Sequence, residues 1–573
     1  MTGTEAFGGV VGPGGSVPSR RVGARQPGVG GQPWTWVAAA VLPVAFLAVF
    51  FAWPVAALVG RGFVVDGSFS LAGVQEVLSA PRTWRILGQT FAQAVLGTAA
   101  AVLLGVPGAY VLYRLRFPGR RLARAVVSVP FVLPTVVVGV AFQSLLAPTG
   151  LLGGLHLQES MTAIVAALVF FNYSVVVRTV GVLWSRLDPR AEDAARSLGA
   201  GRLRVLATVT LPALGPAIAS AGALVFLFCA SSFGVVLVLG GESYGTIETE
   251  IWYQTTQLLD LPAAAALSVL QLLVVSASLM VAGAARTRNE RALRLSGNPR
   301  DARPRPADAP ALVLTAIVVL GLLLLPMGSL AARSFVTADG PGLANYLALS
   351  GNAGRLTTSV WQALVNSVWT ALAATALAVG LGVAVSYVLS RRPASSRGRR
   401  VMRTVDAGFM LPLGVSAVTV GFGFLITLNR PPLDLRSSWL LIPIAQAMVA
   451  LPLVVRTLLP TLRAIDPRLH EAAATLGAGP ARVVATIDAP FALRGLGLAL
   501  GFAFATSLGE FGATSFLARP DRPTLPVVIF QLIGRPGAEN FGMAMAASVV
   551  LAVLTALVMG LAEWIGPKEV TPW

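Results

Sequence analysis

Lysine is all but missing from this sequence, with Lys568 as its only copy. A phosphate-cradling loop of the form G-x-x-x-x-G-K-[ST] needs that residue after a glycine-rich turn. Lys568 stands in GPKEV, outside any such pattern. The chain therefore contains no conventional ATP-hydrolysing loop. Cysteine also occurs once, at Cys229, so no internal disulfide can form. Histidine occurs at His156 and His470 only, too few for the usual soft-ligand metal sites. No catalytic constellation of His, Cys or paired carboxylates emerges, and neither a metal nor a cofactor is expected. Charge is scarce as well, at 12% of 573 residues. A soluble protein carries about twice that fraction.

The apolar residues, 55% of the chain, lie in long blocks. A helix needs roughly 20 mostly apolar residues to cross about 30 Å of hydrocarbon. Twelve blocks meet that measure, centred near residues 47, 100, 136, 172, 226, 274, 321, 377, 416, 449, 504 and 553. They are too long, and alternate too little, for barrel strands. The expected fold is an all-α membrane protein of about twelve spans. The first block, from Trp34 to about Val59, is too long for the apolar region of a signal peptide and reads as a retained anchor.

The net charge of +18 is not spread evenly. Arg20, Arg21 and Arg25 precede the first span, and Arg114, Arg116, Arg120, Arg121 and Arg124 follow the second. Seven arginines run from Arg286 to Arg305 after the sixth, and Arg391, Arg392, Arg397, Arg399, Arg400 and Arg403 follow the eighth. These loops share one side. The loop after the fifth span instead carries Glu242, Glu248, Glu250 and Asp260, with no arginine. This positive-inside asymmetry places both termini in the cytoplasm of a cell membrane, with the arginines against anionic lipid. No soluble domain is left over to bind nucleic acid.

The chain repeats itself. Residues 187–212 read LDPRAEDAARSLGAGRLRVLATVTLP and residues 465–490 read IDPRLHEAAATLGAGPARVVATIDAP, 278 residues apart. Leu133-Pro134 matches Leu411-Pro412, Phe233-Gly234 matches Phe511-Gly512, and Thr246 matches Thr524, all at the same interval. Each half holds six spans, so the halves share one orientation. A pseudo-two-fold axis along the membrane normal should relate them, with a pathway at their interface. The expected organisation is a Gly-, Pro- and Arg-rich disordered cytoplasmic tail (1–33), a first half (34–285), a linker (286–309), a second half (310–565) and a C-terminal tail (566–573). The linker's proline and arginine content suits an extended, solvated connector.

Each repeated stretch predicts a short helix. Asp188-Pro189 and Asp466-Pro467 suit its start, with Asp capping and Pro at the first helical position. Gly199 and Gly477 suit a left-handed stop. A second short helix should lead to Pro212 or Pro490 at the next span. The small pairs Ala194-Ala195 and Ala472-Ala473 permit close approach by another protein, and Asp193 and Glu471 offer a polar anchor.

With those residues in view, the stretch resembles the EAA loop of ABC importer permeases, patterned E-A-A, three residues, G, nine residues, I-x-L-P. The second copy reads Glu471-Ala472-Ala473, Gly477, Ile487-Asp488-Ala489-Pro490. The first reads Asp193-Ala194-Ala195, Gly199, Val209-Thr210-Leu211-Pro212. The departures are Asp193 for Glu, Val209 for Ile and Ala489 for Leu. The resemblance covers about residues 85–285 and 360–565. It implies coupling helices that dock into grooves of two copies of a separate ABC ATPase subunit, and a substrate-binding protein on the opposite face. The fused pair of halves resembles thiamine and ferric-iron permeases. TIETEIWYQ and TLPVVIFQLIG are closer to the thiamine type, and the second half also resembles molybdate and sulfate permeases. The competing class is a secondary transporter driven by an ion gradient.

Glu510 is the acid that stands out within a span, at a position that is Ser232 in the first half. A charge within a span costs about 2.5–3.5 kcal/mol on insertion scales, so it usually faces a cavity or a partner. Two readings stay open: a lining residue that meets a cationic cargo, or a structural group paired with Arg456 or Arg494 or lying near the outer interface.

Overall fold

The computed structural model describes residues 33–65, 68–69, 72–289, 302–337, 340–351, 357–390, 396–429 and 433–565. Residues 1–32, the middle of the linker and the tail 566–573 lie outside the described residues, as do Arg391 and Arg392. Among those described, nine helices are long and apolar enough to cross a membrane, or twelve when each bent pair counts as one span. In chain order, spans 1 to 6 are Ala40–Phe63, Pro81–Arg114, the bent pair 120–146, Met161–Arg186, Arg202–Ala230 and Leu261–Ser278. Spans 7 to 12 are Pro306–Ser334, Val360–Ser390, the bent pair 396–427, Leu441–Arg463, the bent pair 481–508 and Ala538–Ala562. Every apolar block of the sequence has its helix or bent pair.

The bends are where hydropathy alone misleads. Span 3 turns by 106° and span 9 by 91°. At the first break Leu133 is extended (ψ 142°), as a residue before proline tends to be. The helix that follows, Thr135–Leu146, has 12 residues and is about 18 Å long, too short to cross the hydrocarbon. Span 9 breaks four residues later than the repeat predicts. Pro412 lies inside the helix, and Ser416 caps the next one by accepting from the Val418 N–H at 3.1 Å.

The segment between spans 5 and 6 is also not a simple outer loop. It re-enters the protein as the helices Gly234–Leu239 and Ile247–Thr256. Glu248 and Glu250 are buried there. Thr246 starts the second helix through a reciprocal bond with Thr249. Arg82 on span 2 holds Glu250 through two bonds of 3.0 Å. Of the four acids read in this loop, Glu248 and Glu250 are therefore packed polar groups, because a helix and not a turn runs here, while Glu242 and Asp260 stay exposed.

Each half lends its first span to the other. On span 1, Phe51 packs with Val420, Phe424 and Leu441 of the second half. On span 7, Val318 and Leu323 pack with Ala101 and Tyr173 of the first half. Arginines secure both exchanges: Arg61 donates to the Ile426 carbonyl at 3.0 Å, and Arg333 to the Ser144 carbonyl at 2.8 Å.

The described end of the linker is exposed over residues 302–307, yet it is pinned to the first half. Ala302 exchanges backbone bonds with Arg114 and Arg116 at 2.8 and 2.9 Å. Asp308 is buried and accepts the Tyr110 hydroxyl at 3.0 Å, with Arg202 at 3.6 Å. A buried carboxylate needs such partners, so this end of the connector is tied to span 2 and to the first residue of span 5.

Candidate coupling loops and the junction of the halves

The two repeated stretches fold alike. Helices Arg190–Ser197 and Pro467–Thr475 follow spans 4 and 10. Asp188 accepts the Arg190 N–H at 3.0 Å and Asp466 accepts the Arg468 N–H at 2.9 Å. Both helices end in the same double closure. Ala200 donates to Ala195 and Gly199 to Arg196; Ala478 donates to Ala473 and Gly477 to Ala474. That is the Schellman pattern, which needs a left-handed residue at the stop. Gly199 has φ 81° and Gly477 φ 74°. Open space surrounds both, so backbone conformation and not crowding calls for glycine.

Asp193, Ala194, Glu471 and Ala472 are exposed, while Ala195 and Ala473 are half-buried. Sequence reasoning missed the apolar residue beside each stop. Leu198 is 89% exposed and Leu476 86%. The available signal was a leucine written next to the glycine in both copies of LGAG.

A polar latch on each helix was also missed. In the first half Glu192 accepts the Thr210 hydroxyl at 3.0 Å and also engages Arg196 at 3.2 Å and Arg114 at 3.6 Å. In the second, His470 Nε2 meets Asp488 Oδ1 at 2.8 Å. Positions 192 and 470, and 210 and 488, occupy equivalent places in the repeat. Each latch ties a candidate coupling helix to the base of the next span.

At the junction of the halves, four aromatic rings form two pairs of repeat-equivalent residues. Phe233 stacks on Phe511 with centroids 5.4 Å apart and planes 18° apart. Trp252 meets Phe530 edge-on at 5.8 Å and 90°. Phe511 and Phe530 lie 5.4 Å apart, Phe233 and Trp252 6.5 Å apart. Only the positions of Phe233 and Phe511 were legible beforehand, as matched residues without a role.

Glu510 sits next to this stack and is buried. Its two oxygens accept the Ala513 N–H at 2.7 Å and the Thr514 N–H at 3.1 Å. The carboxylate thus caps the turn that follows span 11. The Arg494 side chain lies outside the described residues.

Opposite the coupling loops, at the start of span 10, a cavity of about 640 Å³ is lined by Trp369, Arg436, Arg519, Asp521 and Arg522 among others. Arg436 holds the Asp434 carboxyl below the usual carboxylate range, and Arg519 does the same for Asp521.

Residues 97–289 and 376–570 both match the family model described as binding-protein-dependent transport system inner membrane component. The chain belongs to that family. The two matches are the two halves of the duplication, and the permease is a multi-pass inner membrane protein. It is 27% identical over 505 residues to the thiamine transport system permease protein ThiP of Brucella abortus, covering 84% of this chain and 87% of that one. It is 27% identical over 464 residues to ThiP of Escherichia coli, covering 79% and 84%. The sulfate transport system permease protein CysT of Escherichia coli is 32% identical over 220 residues, covering 37% of this permease and 78% of its own length. These relatives are transport system permease proteins, and the ThiP proteins match both halves together.

Proposed function

We propose that this permease imports a thiamine-type solute, driven by two copies of an ABC ATPase subunit and supplied by a substrate-binding protein outside the membrane. The observation that carries the coupling role is the pair of bare leucines, Leu198 and Leu476, each beside a Schellman-capped helix. An exposed leucine at equivalent positions of two polar loops suits a groove in a partner, since burying it there gains about 1.5–3 kcal/mol. Ala194-Ala195 and Ala472-Ala473 permit the close approach, and Asp193 and Glu471 anchor it. Gly199 and Gly477 hold the turn that sets each leucine outward.

In this reading both termini face the cytoplasm. The binding protein docks at the arginine-lined cavity opposite the coupling loops. ATP-driven closure draws the two loops together, and the latches pass that motion to spans 5 and 11. The stacked aromatic junction then parts. Thiamine is favoured over ferric iron because ThiP relatives align along most of both chains. Glu510 belongs to the wall of this pathway, where its capping role keeps the Phe511 turn in shape.

The test is co-purification of the ATPase with the permease from membranes. A non-glycine residue at positive φ costs roughly 1–2 kcal/mol, so Gly477→Val and Leu476→Asp should each release the ATPase and abolish uptake of labelled thiamine while the permease still accumulates. Retained ATPase in both variants would exclude this coupling surface. Thiamine uptake by the permease with no ATPase present would establish the gradient-driven class.

A further inference from the structure

Among the described residues, Glu248 is a buried acid with no cation beside it. It is 1% exposed, and among the described residues no arginine, lysine or histidine lies within ion-pair distance. Its neighbours are neutral: Gln271 Nε2 donates to it at 3.1 Å, and the Ser416 hydroxyl faces it. Glu250, two residues on, has Arg82, so the same short helix contains one compensated acid and one uncompensated acid.

The surroundings hold further unused polar capacity. Gln271 Oε1 and Thr419 Oγ1 are buried without a hydrogen-bond partner, in side chains that are each 1% exposed. The Trp252 indole N–H is likewise buried and unpartnered. Trp252 lies one helical turn beyond Glu248 and so shares its face. Ile247, Ile251, Val418, Phe233 and Phe511 belong to one packed cluster, with Trp252 and Phe530 against it. The acid therefore sits where the two halves meet, beside the break in span 9 and the four rings.

We propose that Glu248, with Gln271, Thr419 and the ring quartet, forms a recognition site for an organic cation in the translocation pathway. A buried carboxylate without a counter-ion is costly in its charged form, and a cationic ligand recovers that cost. Aromatic faces attract a cation or a positively charged ring. When the halves part, the rings that now stack on one another are free to take a flat cationic ligand between them. Glu248 supplies the charge, while Gln271 and Thr419 offer acceptors for its polar groups. The site rests on the reading of this chain as a permease, and it does not require that the cargo be thiamine.

The chain's only native cysteine is buried, which suits a thiol-reporter test. In a Cys229→Ala background, Thr419→Cys would be treated in intact cells with methanethiosulfonate reagents of similar size, one bearing trimethylammonium and one sulfonate. Glu248 should make the cationic reagent react about tenfold faster, in line with charge focusing in a narrow cleft. Glu248→Gln should bring the two rates together, and Glu248→Asp should keep them apart. A ratio unmoved by Glu248→Gln, or a thiol that neither reagent reaches, overturns the proposal. If Thr419→Cys fails to accumulate, Phe233→Cys serves as the reporter with the same criteria. A permease that keeps the charge preference but carries no thiamine would sink the thiamine reading alone.

Discussion

Glu510 and Glu248 show how two buried acids in one molecule are held by different means. The carboxylate of Glu510 caps its own turn through the Ala513 and Thr514 amides. Replacing it with glutamine puts an NH₂ group where one of those N–H donors expects an acceptor. Leaving a buried donor unmet costs about 1–3 kcal/mol. Glu510→Gln is therefore expected to lower the melting temperature of the purified permease by a few degrees and to reduce uptake, with the protein still folded. Normal uptake at an unchanged melting temperature would remove both the capping and the pathway role. Only half of this was visible in the sequence. An acid in an apolar block stands out by composition, but its partners are backbone groups that any sequence would supply. The arginine pairing considered from sequence is not needed to satisfy the two oxygens.

Among elements, the two candidate coupling helices are equivalent in shape but not in chemistry. One latch pairs Glu192 with Thr210, and the other pairs His470 with Asp488. His470→Glu alone would place a second carboxylate against Asp488, a repulsion of roughly 1–4 kcal/mol near a protein surface. Uptake should fall as that helix swings from the base of span 11. Adding Asp488→Thr rebuilds the first-half pair and should restore most of the activity. A double variant no better than the single one would show that the latch does not transmit motion. The helices themselves were legible because their caps and stops are local: Asp-Pro at the start and Gly at the end lie within about ten residues. The latches were not, since they join side chains 18 residues apart through a turn whose course the sequence leaves open.

For the whole molecule, the exchange of first spans sets how the halves depend on each other. Span 1 lies against span 9 and span 7 against span 3, with Arg61 and Arg333 bonded across. Helices in lipid associate through packing and hydrogen bonds, because lipid tails are as apolar as the contacts they replace. A chain cut between residues 290 and 301 and expressed as two pieces should reassemble and co-purify. Either piece alone should be lost from the membrane, having neither the partner's first span nor, at each arginine, a charged hydrogen bond of about 1.5–3 kcal/mol. Stable accumulation of one piece would show that the exchange is dispensable.

Sequence by itself determined the number of apolar segments, the duplication and the two capped short helices of the repeat. Each is a property of contiguous residues: hydropathy over roughly twenty positions, or a cap and a stop a few positions apart. Tertiary structure alone decided that spans 3 and 9 bend, that Glu248 and Glu250 are buried in a re-entrant helix, and that Phe233, Trp252, Phe511 and Phe530 close the junction. Those outcomes depend on groups brought together from far along the chain, such as Arg82 with Glu250 at a separation of 168 residues. Local composition carries no term for such a meeting. Packing against the other half supplies the free energy that settles it.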